Sequence, residues 1–215
     1  MDKLKKNLVL ASILATSSII SGCNDEAITY NDSKISYINA LDEQATFFIK
    51  ENGASGDVYN NKHRVISLLK ETASGEIKHT WFGFKQSQIA VEDTNTRSHY
   101  TSIKKTLRDK RNYWAIAWLD NNDYELSIFE KETSNMEGLY RVRVFSDGQY
   151  PIYVNGNTTN TRVTKKGEVS DFFSVEKCTE LKIANNNIDL CKGDFGKSYL
   201  AVVDENGLLS LTEEI

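Results

Sequence analysis

An all-β fold organised as two tandem β-sandwich domains is predicted by three features of the sequence. Short runs of β-branched and aromatic residues alternate with Gly, Asn, Asp and Ser from Lys34 onward. No long window places apolar residues at i, i+3, i+4 and i+7, so helices should be few. The two halves also share a weak internal repeat, which points to a duplicated unit. At 215 residues, 40% apolar and 10% aromatic, the chain can bury one large core or two small ones.

The first element is an export signal. Lys3, Lys5 and Lys6 precede an uncharged stretch from Leu8 to Ile20, which is shorter than the roughly 20 residues a membrane-spanning helix needs. The stretch ends Ile-Ile-Ser-Gly-Cys and resembles the bacterial lipoprotein box, with Ile20, Ser21 and Gly22 leading to Cys23. The resemblance implies cleavage after residue 22, a lipid on the Cys23 thiol and a membrane partner reached through that lipid. An ordinary secreted protein in which Cys23 is incidental is the alternative. In Gram-negative bacteria the residue after the lipidated cysteine directs sorting, and Asn24 favours the outer over the inner membrane. Residues 23–33 would be a lipidated tether. Loss of residues 1–22 removes three lysines and Asp2, leaving the mature chain more acidic than the −4 of the whole sequence.

The strands expected for the first domain, residues 34–131, are 34–40, 45–50, 64–70, 77–84, 87–92, 98–103, 113–119 and 124–130. After the polar stretch KETSNMEG, the second domain, 138–215, should hold strands at 139–146, 150–155, 160–164, 171–176, 179–184, 188–191, 198–203 and 207–212. Many short strands at this spacing argue a sandwich or barrel. Pro151, the only proline, begins a strand, a position where its missing N–H is tolerated. Trp114, Ile116 and Trp118 share one face of their strand, and Tyr113, Ala115 and Ala117 share the other. Both faces are apolar, as in a central strand.

The repeat aligns DEQATFFIK from Asp42 with DGQYPIYVN from Asp147, then YWAIAWLD from Tyr113 with YLAVVDEN from Tyr199. The matches occur in the same order, and the second unit is the shorter between them. Asn39, Ala40 and Asp42, together with Tyr153, Val154, Asn155 and Gly156, resemble a bacterial family of uncharacterised extracellular repeats. That resemblance implies immunoglobulin-like β-sandwich units and no assigned reaction. The first unit departs from the pattern at Lys50, where the family has Asn, and lacks its proline-rich turn.

Cys178 and Cys191 remain once Cys23 is lipidated. Between them, alternation at Leu181, Ile183, Ile188 and Leu190 reads as a hairpin turning at Asn185–Asn187, so an exported protein would pair the cysteines in a disulfide. Two free thiols are an alternative; a redox or metal pair lacks the C-x-x-C spacing.

No catalytic motif is legible. His63, His79 and His99 have no metal-ligand spacing, and there is no G-x-S-x-G, phosphate loop or dinucleotide fingerprint, so no cofactor is expected. With 30 acidic against 26 basic residues, no nucleic-acid partner is expected. Two binding features stand out. Lys104, Lys105, Arg108, Lys110 and Arg111 form a candidate anion-binding patch, although most charge runs are simply solvated. Trp81, beside Gly83, is a candidate aromatic binding residue or a core residue. The expected role is a non-catalytic, lipid-anchored envelope protein that binds an envelope protein or glycan or is structural. A carbohydrate-binding or adhesion module is the alternative, with a glycan- or peptide-acting enzyme behind it.

Overall fold

A computed structural model describes residues 30–215 apart from 52, 84, 85 and 156, with backbone alone at 157–162. The signal sequence, Cys23 and Gly156 lie outside the described residues. The fold is all-β, as the alternation predicts, and the described residues hold a single short 3-10 turn, Asn61–His63.

The first half supplies β1 (Tyr30–Asn39), β2 (Ala45–Glu51), β3 (Arg64–Leu68), β4 (Thr72–Ala73), β5 (Ile77–Phe82), β6 (Gln86–Asp93), β7 (His99–Thr106), β8 (Asn112–Asp120) and β9 (Asp123–Glu130). The second supplies β10 (Tyr140–Ser146), β11 (Pro151–Val154), β12 (Asn157–Val163), β13 (Phe173–Val175), β14 (Leu181–Ile183), β15 (Asn186–Ile188), β16 (Ser198–Asp204) and β17 (Gly207–Glu213). Every expected strand overlaps an observed one, although β15 shares only Ile188 with the expected 188–191, and two-residue β4 was not anticipated. Tyr30–Ser33, expected in the tether, belong to β1. Their polar sequence hides a six-residue antiparallel pairing with β5 that sets Tyr30 opposite Phe82.

The strands form four sheets. In the first half β3-β2-β6-β7 faces β4-β1-β8-β9, with β5 also on β1; in the second, β12-β11-β14-β15 faces β13-β10-β16-β17. One core joins each facing pair. Phe47, Ile89 and Val91 meet Ile35, Tyr37, Tyr113 and Ala115 in the first half. Ile152, Leu181 and Ile188 meet Val142, Val144, Tyr199 and Ala201 in the second.

The two halves repeat one another in detail. The parallel pair β1 and β8 sets Ile35 opposite Tyr113 and Asn39 opposite Ala117; the parallel pair β10 and β16 sets Val142 opposite Tyr199 and Ser146 opposite Val203. Each tyrosine hydroxyl accepts a hydrogen bond from a backbone N–H five residues upstream, Arg108 at 2.8 Å and Asp194 at 2.5 Å. These bonds pin the turn entering the strand, as a tyrosine corner does. Asn39 and Ser146 close the other end: Asn39 Nδ2 donates to the carbonyl of Glu43 at 2.7 Å, and Ser146 Oγ to that of Gly148 at 2.8 Å.

The second apolar face of β8 is explained by a third core. Trp114, Ile116 and Trp118 do not point into their own sandwich. With Ile38 they pack against Phe145, Leu200 and Val202 of the second half. The molecule is thus four stacked sheets, and β1, β8, β10 and β16 are covered on both faces. Their starts gather at one end, since Asn112 Nδ2 donates to the Ile215 carbonyl at 3.4 Å, while Trp118 lies near Asp204 at the other. Close approach also fixes Gly167, at φ +70°: a Cβ there would lie 2.6 Å from the Trp118 ring. The Ser127 hydroxyl accepts from Trp118 Nε1 and donates to the Gly167 carbonyl, both at 3.0 Å.

One ion pair is buried in this junction. Glu214 is fully buried, and one of its carboxylate oxygens accepts from Arg143 Nε. The other accepts from Trp114 Nε1 at 2.8 Å. Arg143 also donates to the Glu130 carbonyl at 2.9 Å and lies over the rings of Phe129 and Phe172. The carboxylate therefore ties both halves to the segment that joins them.

The predicted Cys178–Cys191 disulfide is present, with Cα atoms 4.8 Å apart. Closing a loop of this size contributes about 3 kcal/mol in the chain-entropy picture. The hairpin inside it turns elsewhere than expected. Asn186 and Asn187 lie in β15, Leu181 pairs with Ile188, and the turn falls at Ala184–Asn185. Ala184 takes the left-handed conformation, φ 51°. Pairing Leu181 with Ile188 keeps both in the core, which outweighs the ~1–2 kcal/mol a left-handed alanine costs.

Glu214→Ala should cost about 3–5 kcal/mol in urea unfolding, because it strands the Arg143 guanidinium and the Trp114 N–H away from water. Arg108→Ala, which breaks the exposed Arg108–Glu130 pair, should cost under about 1 kcal/mol. Equal costs would mean that water reaches Arg143.

Candidate functional site

The main difference between the halves exposes a sheet face. In the first half the connection from β2 to β3 folds back over the outer sheet, where Val58 and Tyr59 cover Phe48 and Ala90. The Tyr59 ring stacks on His99 at 3.6 Å, its hydroxyl donates to the Thr101 carbonyl at 3.1 Å, and the Asn60 side chain caps the 3-10 turn. In the second half β11 runs almost directly into β12, and among the described residues this cover has no counterpart.

The paired residues change accordingly. Phe48 opposite Ala90 in the first half corresponds, through the aligned Asp42 and Asp147, to Tyr153 opposite Lys182 in the second. Tyr153, Lys182 and Asn187 come from three adjacent strands and share the outer face, since Ile152, Leu181, Ile183 and Ile188 occupy the core. Pro151, Asn155 and Glu180 complete a shallow depression of about 670 Å³. It offers an aromatic ring, amides, a cation and a carboxylate: groups that stack on, donate to and accept from a polar ligand.

A second cleft, about 270 Å³, opens between the sheets of the first half and contains His63, His79, Trp81 and Glu51. Trp81 is only 4% exposed and packs in the first core, so little of its ring reaches the cleft. His79 Nε2 lies 2.9 Å from the Tyr37 hydroxyl, and burial pushes the imidazole pKa down to about 4. Burial also raises the Tyr37 pKa, so the phenol stays protonated and can donate to the neutral ring. His63 is lowered too, first by burial and then by Lys62, and its Nε2 has no partner among the described residues. The third histidine, His99, is on the outer face with Tyr59. Among the described residues no group of three or more His, Cys, Asp or Glu side chains is placed to hold a metal ion.

The basic residues are brought to one end of the first half, although not into one row. Lys104 and Lys105 point to opposite faces of β7, opposite Gln88 and Ser87. Arg108, Lys110 and Arg111 are exposed in the turn before β8, which is fastened to β1: Asp32 N donates to the Asp109 carboxylate at 2.8 Å, and Lys110 N to the Asp32 carbonyl at 2.6 Å. Arg108 pairs with Glu130 at 3.4 Å.

A third pocket, between the halves at the opposite end, is acidic. Asp42, Asp147, Asp204 and Glu205 line it, and burial, followed by Asp204 and Glu205, raises the Asp147 pKa. Asp42 and Asp147 are the aligned residues of the repeat, which no sequence argument had placed in a common pocket. The Tyr153 face was equally hidden, although the shorter second unit was its signal. No family model and no curated protein matches the chain.

Because folding holds His79 neutral, its contribution to stability is complete above the unfolded pKa of about 6.5 and is lost as pH falls from there toward 4. Urea midpoints measured across pH 4–7 should therefore fall more steeply for the natural protein than for His79→Gln. Parallel curves would mean that the ring is solvated.

Proposed function

We propose that this protein is a non-catalytic binding module of the bacterial cell envelope, anchored by lipid on Cys23, with outer-membrane delivery favoured by Asn24. The observation that carries the binding reading is the uncovered outer face of β11, β14 and β15. On a duplicated scaffold, the half that keeps its covering segment has Phe48 and Ala90 on this face, and the half without it has Tyr153 and Lys182. Apolar residues would suit an uncovered face poorly. A half-buried tyrosine among Asn155, Asn185 and Asn187 suits a ligand with both apolar and hydroxylated surfaces. Envelope glycan is the ligand class with that chemistry: sugar rings stack on tyrosine, and their hydroxyls exchange hydrogen bonds with amides. The carbohydrate reading thus moves from Trp81 to Tyr153. The tandem halves also read as immunoglobulin-like units of an extracellular repeat family.

Two readouts test the proposal. Metabolic palmitate labelling should mark the natural protein and be abolished in Cys23→Ser; labelling that persists would overturn the anchor. On a glycan array, Tyr153→Ala should lose at least about tenfold in binding, the scale of one well-packed aromatic contact. Trp81→Phe should leave binding unchanged. An array with no binding, or binding indifferent to Tyr153, would remove the glycan reading.

A further inference from the structure

We propose that the end of the first half where β1 begins is a membrane-seating surface: Tyr30 and Phe82 enter the headgroup region, and the surrounding basic side chains meet anionic phospholipid. This rests on the Cys23 anchor for its setting, but the surface is defined by described residues alone. Tyr30 and Phe82 are 69% and 45% exposed, and their rings meet edge-on at 5.9 Å. They face one another where β1 and β5 run past the start of β8, since Tyr30 pairs with Phe82 while β8 first pairs at Lys34 with Asn112. Two large aromatic groups are thus held out on a paired tip.

The basic residues lie around this tip. The turn carrying Arg108, Lys110 and Arg111 is hydrogen-bonded to β1 at Asp32 and Lys34. Lys104 and Lys105 sit opposite Gln88 and Ser87, at the start of the strand that follows Phe82. Three nearby carboxylates are already engaged. Asp32 pairs with Lys78 at 2.8 Å, Glu130 with Arg108 at 3.4 Å, and Asp109 lies 4.0 Å from Lys110. Glu51 lies opposite Ser87 in the row that holds Lys105, so the five cations stand against three carboxylates, Glu51, Asp109 and Glu130.

Chain length selects a lipid surface as the occupant. From Cys23 to Tyr30 an extended chain spans at most about 25 Å, so lipid on Cys23 confines this end to the neighbourhood of the bilayer. Aromatic rings favour the headgroup level, and lysine and arginine there are attracted to anionic lipid. The two effects act on the same end, and both would orient the four-sheet stack.

The test uses the chain from residue 24 onward, which contains every described residue and neither lipid nor signal sequence. It should sediment with vesicles of phosphatidylcholine plus phosphatidylglycerol, less so as salt is raised, and hardly with phosphatidylcholine alone. Tyr30→Ala with Phe82→Ala should lower the bound fraction, as should Lys104→Ala with Arg111→Ala, by about fivefold per cation. Lys165→Ala, in a loop of the second half, should have no effect. All these side chains are exposed or half-buried, and matching melting curves would verify folding. Absence of binding to the anionic vesicles, or binding unchanged in both double variants, would overturn the proposal. So would self-association through the aromatic tip in preference to vesicle binding. Palmitate labelling is read separately in cells, so loss of the anchor and loss of the seating surface are distinguishable.

Discussion

The packing of Trp114, Ile116 and Trp118 against Phe145, Leu200 and Val202 is the constraint on which the rest of the structure depends. It buries the second face of four parallel-running strands, and it explains why β8 is apolar on both sides. Interfaces between tandem domains are commonly polar and permit relative motion, but a large apolar contact does not. Within this contact lies the buried Arg143–Glu214 pair. A buried ion pair contributes little net stability against an apolar substitute, yet any misalignment would leave both charges uncompensated. Trp114 of β8, Arg143 of β10 and Glu214, just past β17, are distant in sequence, so their meeting fixes the halves side by side rather than end to end.

That arrangement determines which surfaces are available. The two inner sheets are sealed, and the outer sheet of the first half is covered by the segment carrying Val58 and Tyr59. The outer sheet of the second half remains, with Tyr153 and Lys182 on a face that no described segment covers. All four doubly covered strands start at the end where Tyr30 and Phe82 project. In the proposed envelope setting the tip meets lipid, and the Tyr153 face looks sideways along the stack. In that setting the apolar contact between the halves would hold the proposed anchor and the proposed ligand surface in a fixed relation.

Much of the fold was legible because β-strands announce themselves by period-two alternation, and here they do so even in short stretches such as Leu181–Ile183. The repeat was legible from Asp42, Asp147, Tyr113 and Tyr199, whose roles at turns and corners are local. What escaped depends on contacts between distant segments. Tyr30–Ser33 reads as a tether because polarity outweighs a pairing partner that lies 50 residues away. The burial of Glu214 and Arg143 had no sequence signal, since charge signals surface until a partner is placed beside it. Trp81 was ambiguous because one side of an edge region can be core or open, and packing decided for core. The Asn185–Asn187 turn slipped because core register at Leu181 and Ile188 outranks turn propensity.

If the junction makes one body of the two halves, the chain from residue 24 onward should unfold by calorimetry in a single transition, with calorimetric and van't Hoff enthalpies equal. Two resolved transitions, with reductant shifting only the one that contains the Cys178–Cys191 bridge, would show that the halves fold independently and would contradict the account.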